Sequence, residues 1–265
     1  MAQIETFFIH IPQLNRERKI YVYLPDDYDA DGKPYPVIYM HDGQNLFVKK
    51  NEINGPTWEV DITMDRIKAE TGLSAIVVGV AYSDRRMTDF SPWLTSHPKA
   101  FREVGSRGGD GAGYAEFFAK DLKREIEKRY NVVRDRTGAA VLGSSMGGYI
   151  SYYIGLKYQE EFETMGLFST AVWFNAAALK RVHQMTPQTY PQHALVYVGG
   201  KEGVEDMMTD RTYILGSLHL YDMLAERGIV GEFLLSSGGK HYETVWTVYF
   251  EKFARDFLRR CGEKR

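Results

Sequence analysis

Cysteine is almost missing from this 265-residue chain: Cys261 stands alone, near the C-terminus. A disulfide framework is thereby excluded, and a single thiol in a polar tail fits a reducing compartment. Net charge is lacking too. Lys and Arg number 33 against 35 Asp and Glu, leaving -2 at pH 7. Such a chain has no overall basic field to hold nucleic acid or an anionic membrane, so the expected partner is a small molecule. No apolar run approaches the ~20 residues of a membrane span. The N-terminus has no basic n-region, and Phe7-Phe8-Ile9 is interrupted by His10 and Pro12. It does not read as a signal peptide, and the expectation is a soluble, cytoplasmic protein. No His-Glu-x-x-His or paired Cys/His spacing occurs, so no metal is expected. Gly109-Asp110-Gly111-Ala112-Gly113 has the look of a dinucleotide loop. The third glycine position falls on Tyr114, however, and no strand precedes it, so no cofactor is expected. Repeats, low-complexity segments and linkers are absent as well, and 1–265 reads as a single domain. A homo-oligomer is left open.

What is present centres on Val141-Leu142-Gly143-Ser144-Ser145-Met146-Gly147-Gly148-Tyr149. The Gly-x-Ser-x-Gly pattern asks for a strand turning sharply into a helix, with the serine held in a strained conformation and its hydroxyl exposed above the sheet. Gly143 and Gly147 permit the close approach of strand and helix, and Gly148 extends that allowance. Ala139 to Leu142 has the length of a buried strand, and Ile150, Tyr153, Ile154 and Lys157 continue at helical spacing. Ser145 is the central serine, which makes it a candidate nucleophile.

Taken in order, the chain opens with two alternating segments, Thr6 to Ile11 and Lys19 to Leu24, around Gln13-Leu14-Asn15-Arg16: an antiparallel hairpin at a sheet edge. Val37 to Met40, Ile76 to Val80, Thr164 to Ser169, Ala194 to Val198 and Phe233 to Leu235 read as further strands. Between them lie helical patterns. One starts at Trp58 with Val60, Met64 and Ile67 aligned and stops at Gly72; one runs from Ala115 to about Tyr130; one from Thr212 to Arg227 stops at Gly228. Trp246, Tyr249, Phe250, Phe253 and Phe257 stripe a closing helix. Alternating strands and helices call for a mainly parallel sheet covered by helices on both faces. Residues 81–113 lose all periodicity and form a long excursion, which Phe90 and Trp93 mark as ordered. The stretch between Ser169 and His193 is too short for a cap domain.

Acyl transfer needs two backbone N–H donors aimed at the developing oxyanion. In elbow hydrolases one comes from the residue after the nucleophile, here Met146, and the other from the loop after the third strand. His41-Asp42-Gly43-Gln44 is that loop, and Gly43 lets the chain turn the Gln44 amide inward. The acid and base follow the serine in chain order, each at a strand end. His241 follows the last strand through Gly238-Gly239-Lys240 and is the candidate base. Glu202, after Gly199-Gly200-Lys201, is the candidate acid, with Asp206 second. His41 reads as buried support. Trp173 and Phe174, just beyond a strand end, and Arg85 and Arg86 in the excursion are the candidate substrate contacts.

Tyr39 to Phe47, Gly143 to Gly148, Gly199-Gly200-Lys201-Glu202, and Gly239-Lys240-His241 followed by Trp246 together resemble the putative-esterase family. That family includes esterase D, feruloyl esterases, enterobactin esterases and mycolyltransferases. The resemblance covers nearly the whole chain. It implies an α/β-hydrolase fold without a large lid, and cleavage of a carboxylic ester. It supports Ser145, His241, Gln44 and Met146 in their roles; at Glu202 the chain departs from the many relatives that carry aspartate. The expectation is a serine carboxylesterase working through an acyl-enzyme. Acyl transfer to an acceptor other than water and an inactive binding protein on the same fold are the alternatives.

Overall fold

A computed structural model describes residues 2–98, 108–203 and 208–263. Eight strands form one sheet in the order β1-β2-β4-β3-β5-β6-β7-β8. The hairpin pairs β1 (Gln3–Ile11) with β2 (Arg16–Leu24), antiparallel, and its turn places Asn15 at φ 49. β2 joins β4 (Ile76–Val80) antiparallel. From there β3 (Val37–His41), β5 (Ala139–Ser144), β6 (Thr164–Phe168), β7 (His193–Lys201) and β8 (Val230–Lys240) continue in parallel. This is the α/β-hydrolase arrangement expected above.

The central strands β3 to β6 are buried along their whole length, which is why they read as unbroken apolar runs. Their side chains divide strictly by parity. Val37 and Tyr39 join one core cluster and Ile38 and Met40 the other; Ala139 and Val141 oppose Ala140 and Leu142 in the same way. The first cluster lies under helical residues 111–129, where α3 (Gly111–Glu116) and α4 (Lys123–Arg129) flank a π-helical stretch, Phe117–Leu122. It also lies under α5 (Met146–Lys157), α6 (Ala176–Met185) and α7 (Asp210–Glu226). The second is covered by α1 (Val60–Thr71) and α8 (Glu243–Glu263), through Val60, Met64 and Ile67 and through Trp246, Phe250, Phe253 and Phe257.

Gly72 ends α1 at φ 71, the left-handed stop read from the sequence. Two expectations are corrected. Cys261 does not sit in a loose tail: it lies on the buried face of α8, its thiol donating to the Thr137 carbonyl at 3.3 Å. The excursion is not wholly irregular, since α2 (Arg86–Asp89) forms a single turn and α3 begins at Gly111. Between β6 and β7 stand the turn Val172–Phe174 and α6, which starts where the Asn175 side chain accepts from the Ala178 N–H at 3.0 Å. Among the described residues, no helix is long and apolar enough to cross a membrane.

Candidate active site

Ser145 is the single residue between β5 and α5, held at φ 56, ψ -119. Its strain is over-determined by neighbours. Its N–H donates to Phe168 O at 2.9 Å, and its carbonyl accepts from Ala171 N at 3.0 Å and Tyr149 N at 3.1 Å. The glycines are sterically required. A Cβ on Gly143 would lie 2.5 Å from the Gly147 carbonyl carbon, and one on Gly148 would lie 2.6 Å from Thr170 Oγ1. Met146 opens α5, so its N–H is among those that the helix itself leaves without an acceptor. Its thioether is buried.

The loop after β3 meets this helix end. A Cβ on Gly147 would be 3.3 Å from Asp42 Oδ2 and 3.4 Å from His41 Cβ. Asp42 takes a left-handed conformation, φ 59, and the short turn Gly43–Asn45 follows. Gly43 lies against the Gly79 backbone, where a Cβ would come within 2.9 Å of the carbonyl. The Gln44 side chain clamps the turn to the end of β4, donating to Tyr82 O and accepting from Tyr82 N, both at 2.8 Å. Main-chain orientation at Gln44 is thus fixed from its own side chain.

β7 and β8 deliver the other two groups. Glu202, fully buried, has Oε2 at 2.5 Å from His241 Nδ1, while Oε1 accepts from the Gly199 N–H and the Ser169 hydroxyl, each at 2.6 Å. His241, just past β8, keeps a partly exposed side chain between the rings of Tyr213 at 4.9 Å and Trp246 at 5.0 Å. Tyr213, on the first turn of α7, ties the two halves together, because its hydroxyl lies beside the side chains of Ser145 and Trp173 while its ring faces His241. Burial pushes this phenol up to about 12, so it keeps its proton at neutral pH.

The remaining candidates separate. Trp173, half-buried, stands edge-on to Tyr213 at 6.4 Å, beside the candidate site. Phe174 is fully buried against Tyr149, so its ring is core rather than wall. Arg86 is committed to Asp42, bonding both carboxylate oxygens at 2.6 and 2.8 Å behind the Gln44 turn. Arg85 is exposed and pairs with Asp110 at 3.3 Å. His41 is buried with Nδ1 2.9 Å from the Tyr114 hydroxyl, in keeping with structural support. Asp206 lies outside the described residues. Sequence reasoning gave Ser169 and Tyr213 no role in the site, and placed Trp246 only in the closing-helix stripe and in the motif that carries the family resemblance. Ser169 stood at the end of an expected strand, which does not say where its side chain points, and Tyr213 carried no mark.

Residues 11–251 match the model of the family described as "Putative esterase". The chain is 29% identical over 232 residues to the ferri-bacillibactin esterase BesA of Bacillus subtilis, covering 80% of this chain and 75% of that one. To the uncharacterized protein YbbA of the same organism it is 24% identical, covering 88% and 89%. Among solved structures, the BES protein from Bacillus cereus superposes with a TM-score of 0.74 at 20% identity, with 96% of each chain covered. The siderophore hydrolase EstA of Aspergillus nidulans superposes at 0.71 and 16% identity, with 94% of each covered. These two likenesses speak for the fold. The family match spans all the strand ends described above, and the chain belongs to the putative-esterase family: it is an esterase on an α/β-hydrolase fold.

Proposed function

We propose that this esterase cleaves carboxylic esters of small molecules through a covalent acyl-enzyme on Ser145. The observation that carries the reading is one continuous constellation: a strained serine at a helix start, a phenol that touches both it and an imidazole, and a buried carboxylate 2.5 Å behind that imidazole. In this reading Nε2 of His241 takes the Ser145 proton as Oγ attacks the carbonyl carbon. Glu202 holds the ring in the tautomer that leaves Nε2 free to accept, and stabilises its cation. The oxyanion settles between the N–H groups of Gln44 and Met146. Collapse breaks the bond to the alcohol, which leaves with the proton carried by His241. Water then repeats the attack, His241 now taking its proton, and the acid is released with Ser145 restored.

General acid–base help of this kind is worth about 10²–10⁴-fold and each oxyanion donor about 10²–10³-fold. Ser145→Ala therefore abolishes turnover of an aryl acetate while circular dichroism stays native, and a fluorophosphonate probe labels the wild type at Ser145 and not the variant. Hydrolysis that persists in Ser145→Ala overturns the assignment; no adduct on the wild type favours a binding protein. Trp173 is the wall that meets the substrate. BesA is a ferri-bacillibactin esterase, and another relative, of which this chain spans 29%, is an endo-1,4-beta-xylanase/feruloyl esterase of Xylanibacter ruminicola. The two names direct an ester panel towards ferri-bacillibactin and feruloyl esters. Product analysis with competing alcohols separates hydrolysis from transfer to another acceptor.

A further inference from the structure

A carboxylate with no exposure, such as Glu202, is stable only when its oxygens are well supplied with donors. Oε2 faces His241, and Oε1 receives the Gly199 N–H and the Ser169 hydroxyl. Behind Ser169 stands Trp246, whose Nε1 lies 2.9 Å from Ser169 Oγ. The direction of this chain is dictated by chemistry. An indole N–H can only donate, so the Ser169 oxygen must accept from it, and the one hydroxyl proton is left for the carboxylate. No alternative orientation exists.

Two further features set this chain apart from ordinary core packing. Ser169 sits at φ 46, a left-handed conformation that costs a non-glycine residue about 1 kcal/mol or more, although glycine would occupy it freely. The position therefore carries a hydroxyl at the expense of backbone strain. Trp246 meanwhile serves both ends of the chain. It donates to Ser169, presents its ring to His241 at 82°, and is itself braced on Trp58 at 5.2 Å.

We propose that Ser169 and Trp246 are positioning residues of the active site, a one-way hydrogen-bond chain that fixes which oxygen of Glu202 faces His241 and holds it there. The proposal rests on the serine-hydrolase reading above. Both residues are buried behind Glu202 and His241, so their loss shows in the rate of chemistry rather than in binding. A carboxylate deprived of one donor is a stronger base and a less well-aimed one.

The test uses two variants that both remove the hydroxyl. Ser169→Gly relieves the strain and Ser169→Ala retains it, so the glycine variant melts higher. Both lower kcat on an aryl acetate by about 10–100-fold with KM within about threefold, and both move the acid limb of the kcat/KM profile up by ~1 pH unit. A role in packing alone predicts the difference in melting without the kinetic change. Wild-type kcat and an unmoved acid limb in Ser169→Gly overturn the proposal. Should neither Ser169 variant fold, Trp246→Phe decides by the same two readouts. It removes only the last donor, so the expected change has the same sign and is smaller, and no change overturns the chain. The two readings fail separately. A dead Ser145→Ala beside a normal Ser169→Gly removes only the positioning chain, and an active Ser145→Ala removes the nucleophile itself.

Discussion

Gly143 and Gly147 approach so closely that a methyl group on the first would sit 2.5 Å from the carbonyl carbon and 2.6 Å from the oxygen of the second. No real Cβ contact is that short, so the strand and helix would have to part at the one point where Ser145 is strained. Gly143→Ala is expected to cost about 3 kcal/mol or more and to abolish ester turnover. Gly238 is not in a loop before His241, as the sequence suggested, but near the end of β8, which runs on to Lys240, and it has open space where its Cβ would go. Gly238→Ala should stay within about 0.5 kcal/mol. Urea unfolding of both, read beside activity, tests the contrast, and equal effects would contradict it. The same chemistry explains what was legible here. Ser145, Met146, Gln44, His241 and Glu202 each carry a local mark, a nearby glycine at the end of a strand, although the glycines before Glu202 and His241 prove to be the last residues of β7 and β8 rather than turns. Ser169 and Tyr213 act on partners far along the chain, 33 residues away in the bond from Ser169 to Glu202, and local pattern does not say which way a side chain points.

The end of β3 and the helical stretch 111–129 form an element pair whose contact is a histidine. His41 lies 4.6 Å from the Phe118 ring and 5.1 Å from Phe90, with Nδ1 on the Tyr114 hydroxyl and Nε2 buried without a partner among the described residues. Burial first, and then the charge of Arg86, lower its pKa to about 3. An unfolded histidine titrates near ~6.5. Between those values the unfolded chain binds a proton that the folded chain refuses. The contribution of this site is therefore whole above about pH 6.5 and is lost as pH falls towards 3, at up to about 1.4 kcal/mol per unit. His41→Asn keeps an acceptor for Tyr114 and cannot titrate. Urea midpoints between pH 7 and 4.5 should fall less steeply in that variant, and an identical slope would assign the loss elsewhere. The strands and their order of alternation with helices were readable because burial on both faces leaves unbroken apolar runs. α6 was not, since only Leu179 and His183 of its ten residues are buried and its start depends on the Asn175 cap.

Across the whole molecule the N-terminal hairpin and the excursion after β4 are one charged assembly. Arg18 in β2 is buried and pairs with Asp89, itself 1% exposed; Arg16 reaches the same carboxylate at 2.6 Å and Asp110 at 2.7 Å. Ser83 completes the cluster, accepting from Arg18 at 3.0 Å and donating to Asp89 at 3.1 Å. The ion pairs of Arg16 and Arg18 span more than seventy residues of sequence, which is why 81–113 had no periodicity to read and yet is folded in its described parts. They also reach the candidate active site, because Tyr82, next to Ser83, holds Gln44. Removing one partner of a buried ion pair leaves the other uncompensated, at about 3–5 kcal/mol, whereas replacing both with apolar groups is often neutral. Asp89→Ala is accordingly expected to lose about that much in urea unfolding and to lower kcat through the loosened Gln44 turn. Adding Arg18→Met to Asp89→Ala should recover part of the stability, since the buried charge is then gone. If the double variant is instead less stable than Asp89→Ala alone, Arg18 contributes through its bonds to the Glu17 carbonyl and Ser83 rather than through its pairing with Asp89.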